Sequence, residues 1–158
     1  MIDVKTAASY IYNKYEREKG EPIDEMKLHK LLYLSQREAI VQTSEPMFSA
    51  PFEAWKYGPV VVEIRDLYKK GLLSSDVTDS DVEPYVPVFN YVFDNYADKD
   101  TWSLSILTHS ESSWLNARKG LEPEDHGSKE LKISDIRNDA ERIKMRRFFY
   151  NEVIPQLQ

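Results

Sequence analysis

Cysteine is absent from the 158 residues, which removes disulfides and thiolate zinc sites from consideration. The lack fits a reducing compartment without requiring one. Glycine is scarce, with five residues scattered along the chain, so no glycine-rich loop can cradle a phosphate. No apolar run approaches the roughly 20 residues that a membrane helix needs. The chain starts on a helical pattern and not on a basic stretch followed by an apolar one, so the expected location is the cytoplasm. An excess of basic charge is missing too: 21 Lys and Arg stand against 27 Asp and Glu, a formal net charge of −6. That balance argues against general nucleic-acid binding, and no helix-turn-helix signature is present. Neither a membrane nor direct nucleic-acid contact is expected.

Catalytic signatures are missing as well. His29, His109 and His126 are far apart, and no HExxH pair exists. There is no G-x-S-x-G elbow and no cysteine nucleophile. His109 with Glu111, and Glu124 with Asp125 and His126, are spacings a metal can use, but neither is diagnostic. The expectation is a protein that is not an enzyme and needs no metal or cofactor.

What the chain does have is material for a core. Hydrophobic residues make up 41 % and aromatics 12 %, which outweighs a charged fraction of 30 % as an argument about order. The length suits one domain over residues 1–158, and no repeat or linker divides it. Val4, Ala7, Ala8, Ile11 and Tyr15 recur at helical spacing behind a possible N-cap at Asp3, and Gly20 and Pro22 end that helix. A second helix is predicted from Asp24 to about Gln42, with Leu28, Leu31, Leu32 and Ala39 buried and Lys27, Lys30, Gln36 and Arg37 mostly on the wet side. Residues 43–59 are irregular and rich in proline and aromatics.

A third helix follows from about Val60 and stops at Gly71. The acidic stretch from Ser74 to Glu83 reads as an exposed loop. Val88 to Tyr96 fits a helix or a strand. Asp100 or Thr101 can cap a helix carrying Trp102, Leu104, Ile106 and Leu107, and Ser112 or Ser113 a short one around Trp114 and Ala117. The last helix is predicted over Ser134–Ile154, with Asp139–Arg142 and Glu141–Lys144 facing each other and Pro155 breaking it. Arg142, Lys144, Arg146 and Arg147 read as a solvated face, and Phe148, Phe149 and Tyr150 as core or interface. The expected fold is mainly α, a compact single-domain helical bundle with a small β element within residues 46–58 or 85–96.

Three ordered blocks carry a family resemblance. Met26-Lys27-Leu28-His29-Lys30-Leu31-Leu32-Tyr33-Leu34 resembles L-K-L-Q-K-L-L-Y-Y. Phe52-Glu53-Ala54-Trp55-Lys56-Tyr57-Gly58-Pro59-Val60-Val61 resembles F-x-A-W-x-Y-G-P-V-V, and Leu107 to Arg118 is similar to L-T-H-x-E-x-P-W-x-x-A-R. These are the marks of the Panacea domain of SocA-like antitoxins and phage-associated relatives. His29 stands where glutamine is usual, Val62 where proline is frequent, and Ser113 replaces the proline before Trp114.

The resemblance implies a type II antitoxin that neutralises a protein toxin, encoded nearby, by direct binding. It also implies a possible role in delivering that toxin to the ClpXP protease. The alternative is a phage or mobile-element protein that turns the same domain on a host defence or regulatory protein. Lys56, Tyr57, His109 and Glu111 are the candidate partner-binding residues. Leu28, Lys30, Leu31, Tyr33, Trp55, Gly58, Pro59, Thr108 and Trp114 are signature residues expected to hold the fold.

Overall fold

Leu28 to Leu34 is apolar on more than one side, and a helix of that kind has to be surrounded. A computed structural model, which describes residues 1–74 and 76–157, shows how. Helix α2 (Glu25–Thr43) runs through the middle of the molecule, and every residue from Lys27 to Ile40 is buried. The reading of Lys27, Lys30, Gln36 and Arg37 as a wet face is therefore corrected. Each of these side chains is buried with a partner. Lys27 Nζ donates to the Ala97 carbonyl at 3.1 Å, and Lys30 Nζ to the Tyr57 carbonyl at 2.6 Å. Gln36 donates to the Phe48 carbonyl at 2.8 Å and accepts from the Met47 N–H at 2.7 Å. Arg37 is ion-paired with Glu111. A buried polar group is tolerated when its hydrogen bonds are made, so periodicity of apolar residues alone misjudged this helix.

The other elements wrap around α2. Helix α1 (Val4–Lys19) is capped by Asp3, which accepts from the Lys5 N–H at 2.7 Å, and it ends at Gly20. Strands β1 (Glu53–Trp55) and β2 (Gly58–Val60) form an antiparallel hairpin, with Glu53 opposite Val60 and Trp55 opposite Gly58. The hairpin begins within the first of the two expected β regions, residues 46–58, and runs two residues past its end. Helix α3 (Val62–Lys69) follows directly and ends before Gly71.

The acidic stretch is more than the loop expected. Thr78 and Asp81 form a capping box that starts a 3₁₀ turn over Asp79–Tyr85. Residues 86–97 are helical, α4 (Val86–Val92) running into a π turn (Phe93–Ala97). Val88, Phe89, Val92 and Phe93 bury one helical face, which excludes the strand alternative.

Helix α5 (Thr101–His109) is capped by Asp100, which accepts from the Ser103 N–H at 2.8 Å. Helix α6 (Ser112–Ala117) is not capped by Ser112 or Ser113. Glu111 holds the N-cap position, and the N–H groups of Ser112 and Ser113 each donate at 3.0 Å to the carboxylate of Asp139, on α7 (Ile133–Phe148). A carboxylate from another helix meets the orphan donors of this one.

Pro155 does not break the last helix. A π turn (Phe149–Val153) leads into α8 (Ile154–Leu157), and the chain stays helical through the proline. Both predicted charge pairs of α7 form, Arg142 with Asp139 and Lys144 with Glu141 at 3.5 Å. Phe148, Phe149 and Tyr150 are exposed and do not belong to the core. No helix among the described residues is long and apolar enough to cross a membrane.

Candidate functional site

The first turns of α2, the β-hairpin and residues 124–126 enclose a cleft of about 270 Å³. Its walls include Met26, His29, Lys30, Trp55, Tyr57 and Val60, and Glu25, Lys56, Glu124 and His126 line it as well. The hairpin turn is locked from below. Lys30 holds the Tyr57 carbonyl, and Gly58 at φ +128° lies so close that an added Cβ would stand 3.3 Å from both Lys30 Nζ and Thr108 Oγ1. Only glycine adopts that backbone conformation without strain.

Arg118 builds the far wall. Its guanidinium donates to the carbonyls of Ala54 at 2.8 Å, Asp125 at 2.7 Å, His126 at 3.1 Å and Glu122 at 3.2 Å. One side chain thereby ties residues 122–126 to β1, and Gly127 closes so tightly over Ala54 that a Cβ there would collide with its carbonyl at 2.4 Å. The loop thus delivers His126 to the Trp55 ring, with centroids 4.4 Å apart. Trp114 supports the hairpin from inside: its indole donates to the Trp55 carbonyl at 2.9 Å, and His109 stacks flat on it at 4.1 Å.

Electrostatics inside the cleft follow from burial. Burial pushes the Lys30 ammonium down to about 8. Burial also lowers His29, more than the hydrogen bond with Glu25 raises it. Glu25 is penalised by burial, yet hydrogen bonds from Lys69 and His29 draw its carboxyl below the ordinary range. Burial lowers His109, with Lys30 adding to the effect.

A second polar cluster lies on the other side of α5 and α6. Arg37 pairs with Glu111 and donates to Tyr96 Oη at 3.1 Å, and the Tyr33 hydroxyl meets Ser113 Oγ at 2.8 Å. Burial, against the pull of Arg37, raises the Glu111 carboxyl, and nearby Asp139 pushes the same way. Arg147 grips the buried Glu38 through two hydrogen bonds at 2.9 and 2.8 Å. This geometry is that of interior pairs that fix helices to α2, with no nucleophile facing a base.

The family model described as "Antitoxin SocA-like, Panacea domain" matches residues 28–115, more than half of the chain. The chain belongs to this family. No curated protein and no solved structure matches it. The span characteristic of SocA-like antitoxins covers nearly all of α2, the hairpin and the helices up to α6. Residues 124–126 and the C-terminal helix lie beyond it.

The four candidate partner-binding residues do not form one patch. Lys56 and Tyr57 share the cleft rim, with the Lys56 ammonium 5.1 Å from the Tyr57 ring, and Tyr57 is 60 % exposed. His109 is partly buried behind the hairpin, and Glu111 is buried in the Arg37 cluster. Of the signature residues, Leu28, Lys30, Leu31, Tyr33, Thr108 and Trp114 are buried, as are Gly58 and Pro59, while Trp55 is half-buried in the cleft wall. Sequence reasoning missed the cleft contributions of Glu25, Glu124 and His126. Nothing local joins residues 25–30 to 124–126; they meet through the hairpin, which Lys30 holds at the Tyr57 carbonyl and Arg118 ties to residues 122–126 through backbone carbonyls. It also left open whether Phe148 and Phe149 were core or interface; with Met145 they form an exposed apolar stripe on the C-terminal helix.

Proposed function

We propose that this protein is an antitoxin that neutralises a protein toxin by direct binding, without catalysis. The observation that carries the reading is family membership over α2, the hairpin and α5. Surface chemistry supports it. Met145, Phe148, Phe149 and Tyr150 are between 49 and 71 % exposed, and Met145, Phe148 and Phe149 border one surface groove, the kind of apolar surface that marks an interaction site. Lys144 and Arg146 border that stripe together with Glu141, which pairs with Lys144, so its rim carries both signs of charge. Lys56 and Tyr57 at the hairpin tip supply a second contact, an aromatic anchor with a cation beside it.

The buried signature residues act on binding through shape: Lys30, Gly58, Trp114 and Arg118 hold the hairpin in one conformation and so reduce the ordering cost of association. Delivery of the toxin to ClpXP is a separate part of the proposal, read by toxin lifetime in the presence of the protease. Co-expression tests the main reading. A toxin from an adjacent reading frame should stop growth alone, and growth should return with this protein, in a complex that survives purification. Growth arrest that persists on co-expression, with no complex recovered, would remove the proposal.

A further inference from the structure

The C-terminal helix has two unlike faces. On the inner one Ile136, Asp139 and Ala140 are buried, and Arg147 reaches in to grip Glu38. On the outer one Met145, Phe148 and Phe149 are 71, 62 and 49 % exposed and border one open groove with Val153. Leu157, also exposed, continues the row one helical turn beyond Val153. These residues lie outside the span that the family model matches, so the family scaffold does not account for them.

The charges along the row decide what covers it. Glu141 pairs with Lys144 at 3.5 Å, Arg142 pairs with Asp139, and Arg147 pairs with Glu38. Arg146 and Glu152 are exposed and have no ion-pair partner among the described residues. The helix face therefore has no net charge with which to select a basic or an acidic partner. It does have a basic group before the aromatic pair and an acidic one after it. A second copy of the helix, laid antiparallel about a two-fold axis at Phe148 and Phe149, sets each Arg146 toward Glu152 of the other copy and joins the two apolar rows. Parallel copies would oppose like charges at both positions. The face is complementary to itself in one orientation, as an isologous interface requires.

Area sets the strength of such a pair. Covering Met145, Phe148, Phe149, Val153 and Leu157 removes about 500 Å² from each copy, roughly 1,000 Å² in all, if a large side chain offers about 150–250 Å². That is the lower limit for a specific interface and corresponds to a weak, exchanging dimer with a Kd of about 10–100 µM.

We propose that a second copy of this chain covers the stripe in the free protein, as an antiparallel two-fold dimer, and that the toxin opens the dimer by taking the place of one copy. The dimer is argued from the helix face itself. The exchange rests on the reading that the stripe contacts a toxin.

Sedimentation equilibrium of the full chain, from about 5 to 500 µM, tests the dimer without any toxin. The mass should rise from that of one chain to that of two and stop there. F148D should weaken association at least tenfold. R146E and E152R should each weaken it about three- to tenfold, because each opposes like charges in its own dimer. An equal mixture of R146E and E152R should associate within about twofold of the parent, since both contacts of the mixed pair join opposite charges. Circular dichroism of each variant should match the parent, as expected for substitutions at exposed positions.

A chain that stays monomeric at the highest concentration would overturn the proposal. So would association that F148D leaves unchanged, a mixture that associates no better than its parts, or a ladder of growing oligomers, which a head-to-tail contact gives. With toxin added, a complex that releases the second copy supports the exchange. A complex that keeps the dimer intact leaves the dimer standing and removes the stripe as the toxin contact. A dimer in a chain that fails to rescue growth removes the antitoxin reading, and rescue by a chain that never dimerises does the reverse.

Discussion

Lys30 supplies the sharpest physical prediction. Its ammonium is buried under the hairpin turn, held by one carbonyl at 2.6 Å, and burial brings it down to about 8 from an ordinary 10.5. Below pH 8 both folded and unfolded chains carry the proton, and the folded state bears the full desolvation cost. Between pH 8 and 10.5 the unfolded chain binds more protons than the folded one, so this group makes stability rise with pH. A difference of two to three pKa units corresponds to about 3 kcal/mol in total, of which about 2–3 kcal/mol is released by pH 10. K30M provides the reference, because it fills similar volume and cannot titrate.

Urea unfolding of both proteins at pH 7, 8, 9 and 10 isolates the effect, since the other titrations are common to the pair and cancel. The parent should gain about 2–3 kcal/mol on K30M across that range. Parallel curves would refute the reasoning and would mean that Lys30 reaches water in the folded protein.

Three further outcomes follow from particular contacts. G58A should lose about 1–3 kcal/mol in urea melts, from the positive φ and the close approach of Lys30 and Thr108; a stability change under a few tenths would show that the turn relaxes freely. R147M should lose about 3 kcal/mol because the buried Glu38 carboxylate loses its counter-charge and keeps only the Gln42 amide at 2.9 Å, and E38Q in the same chain should recover part of it in a double-mutant cycle. F148D, on an exposed position, should leave the thermal midpoint within a degree or two of the parent yet weaken the complex with the neutralised toxin at least tenfold by calorimetry.

Much of the architecture was legible because local rules and tertiary packing agree. Asp3 caps the helix it was expected to cap, Asp100 is the one of two candidates that caps α5, and the spacing of Ile64 and its neighbours is that of a helix packed on one side. Sequence reasoning failed where a side chain is satisfied by something distant. Lys30, Gln36 and Arg37 look solvated in a sequence because their partners, Tyr57, Met47, Phe48 and Glu111, are brought in by other elements. The cap of α6 was misplaced for the same reason, since Asp139 comes from α7. The turn at Gly58 and Pro59 was readable through family resemblance, whereas the hairpin was legible only as one of two candidate β regions and the cleft not at all: its far wall depends on Arg118 reaching four carbonyls, and carbonyls have no sequence signature.

The central claim is that this protein works by binding in proportion and not by turnover. Titrating it into a fixed amount of active toxin, with residual toxin activity as the readout, tests that claim directly. The account predicts a linear fall to a breakpoint at a fixed small-integer ratio, with both proteins recovered intact in one complex. Complete loss of toxin activity at a few per cent of that ratio, with no complex present, would mean that the protein acts as a catalyst and would contradict it.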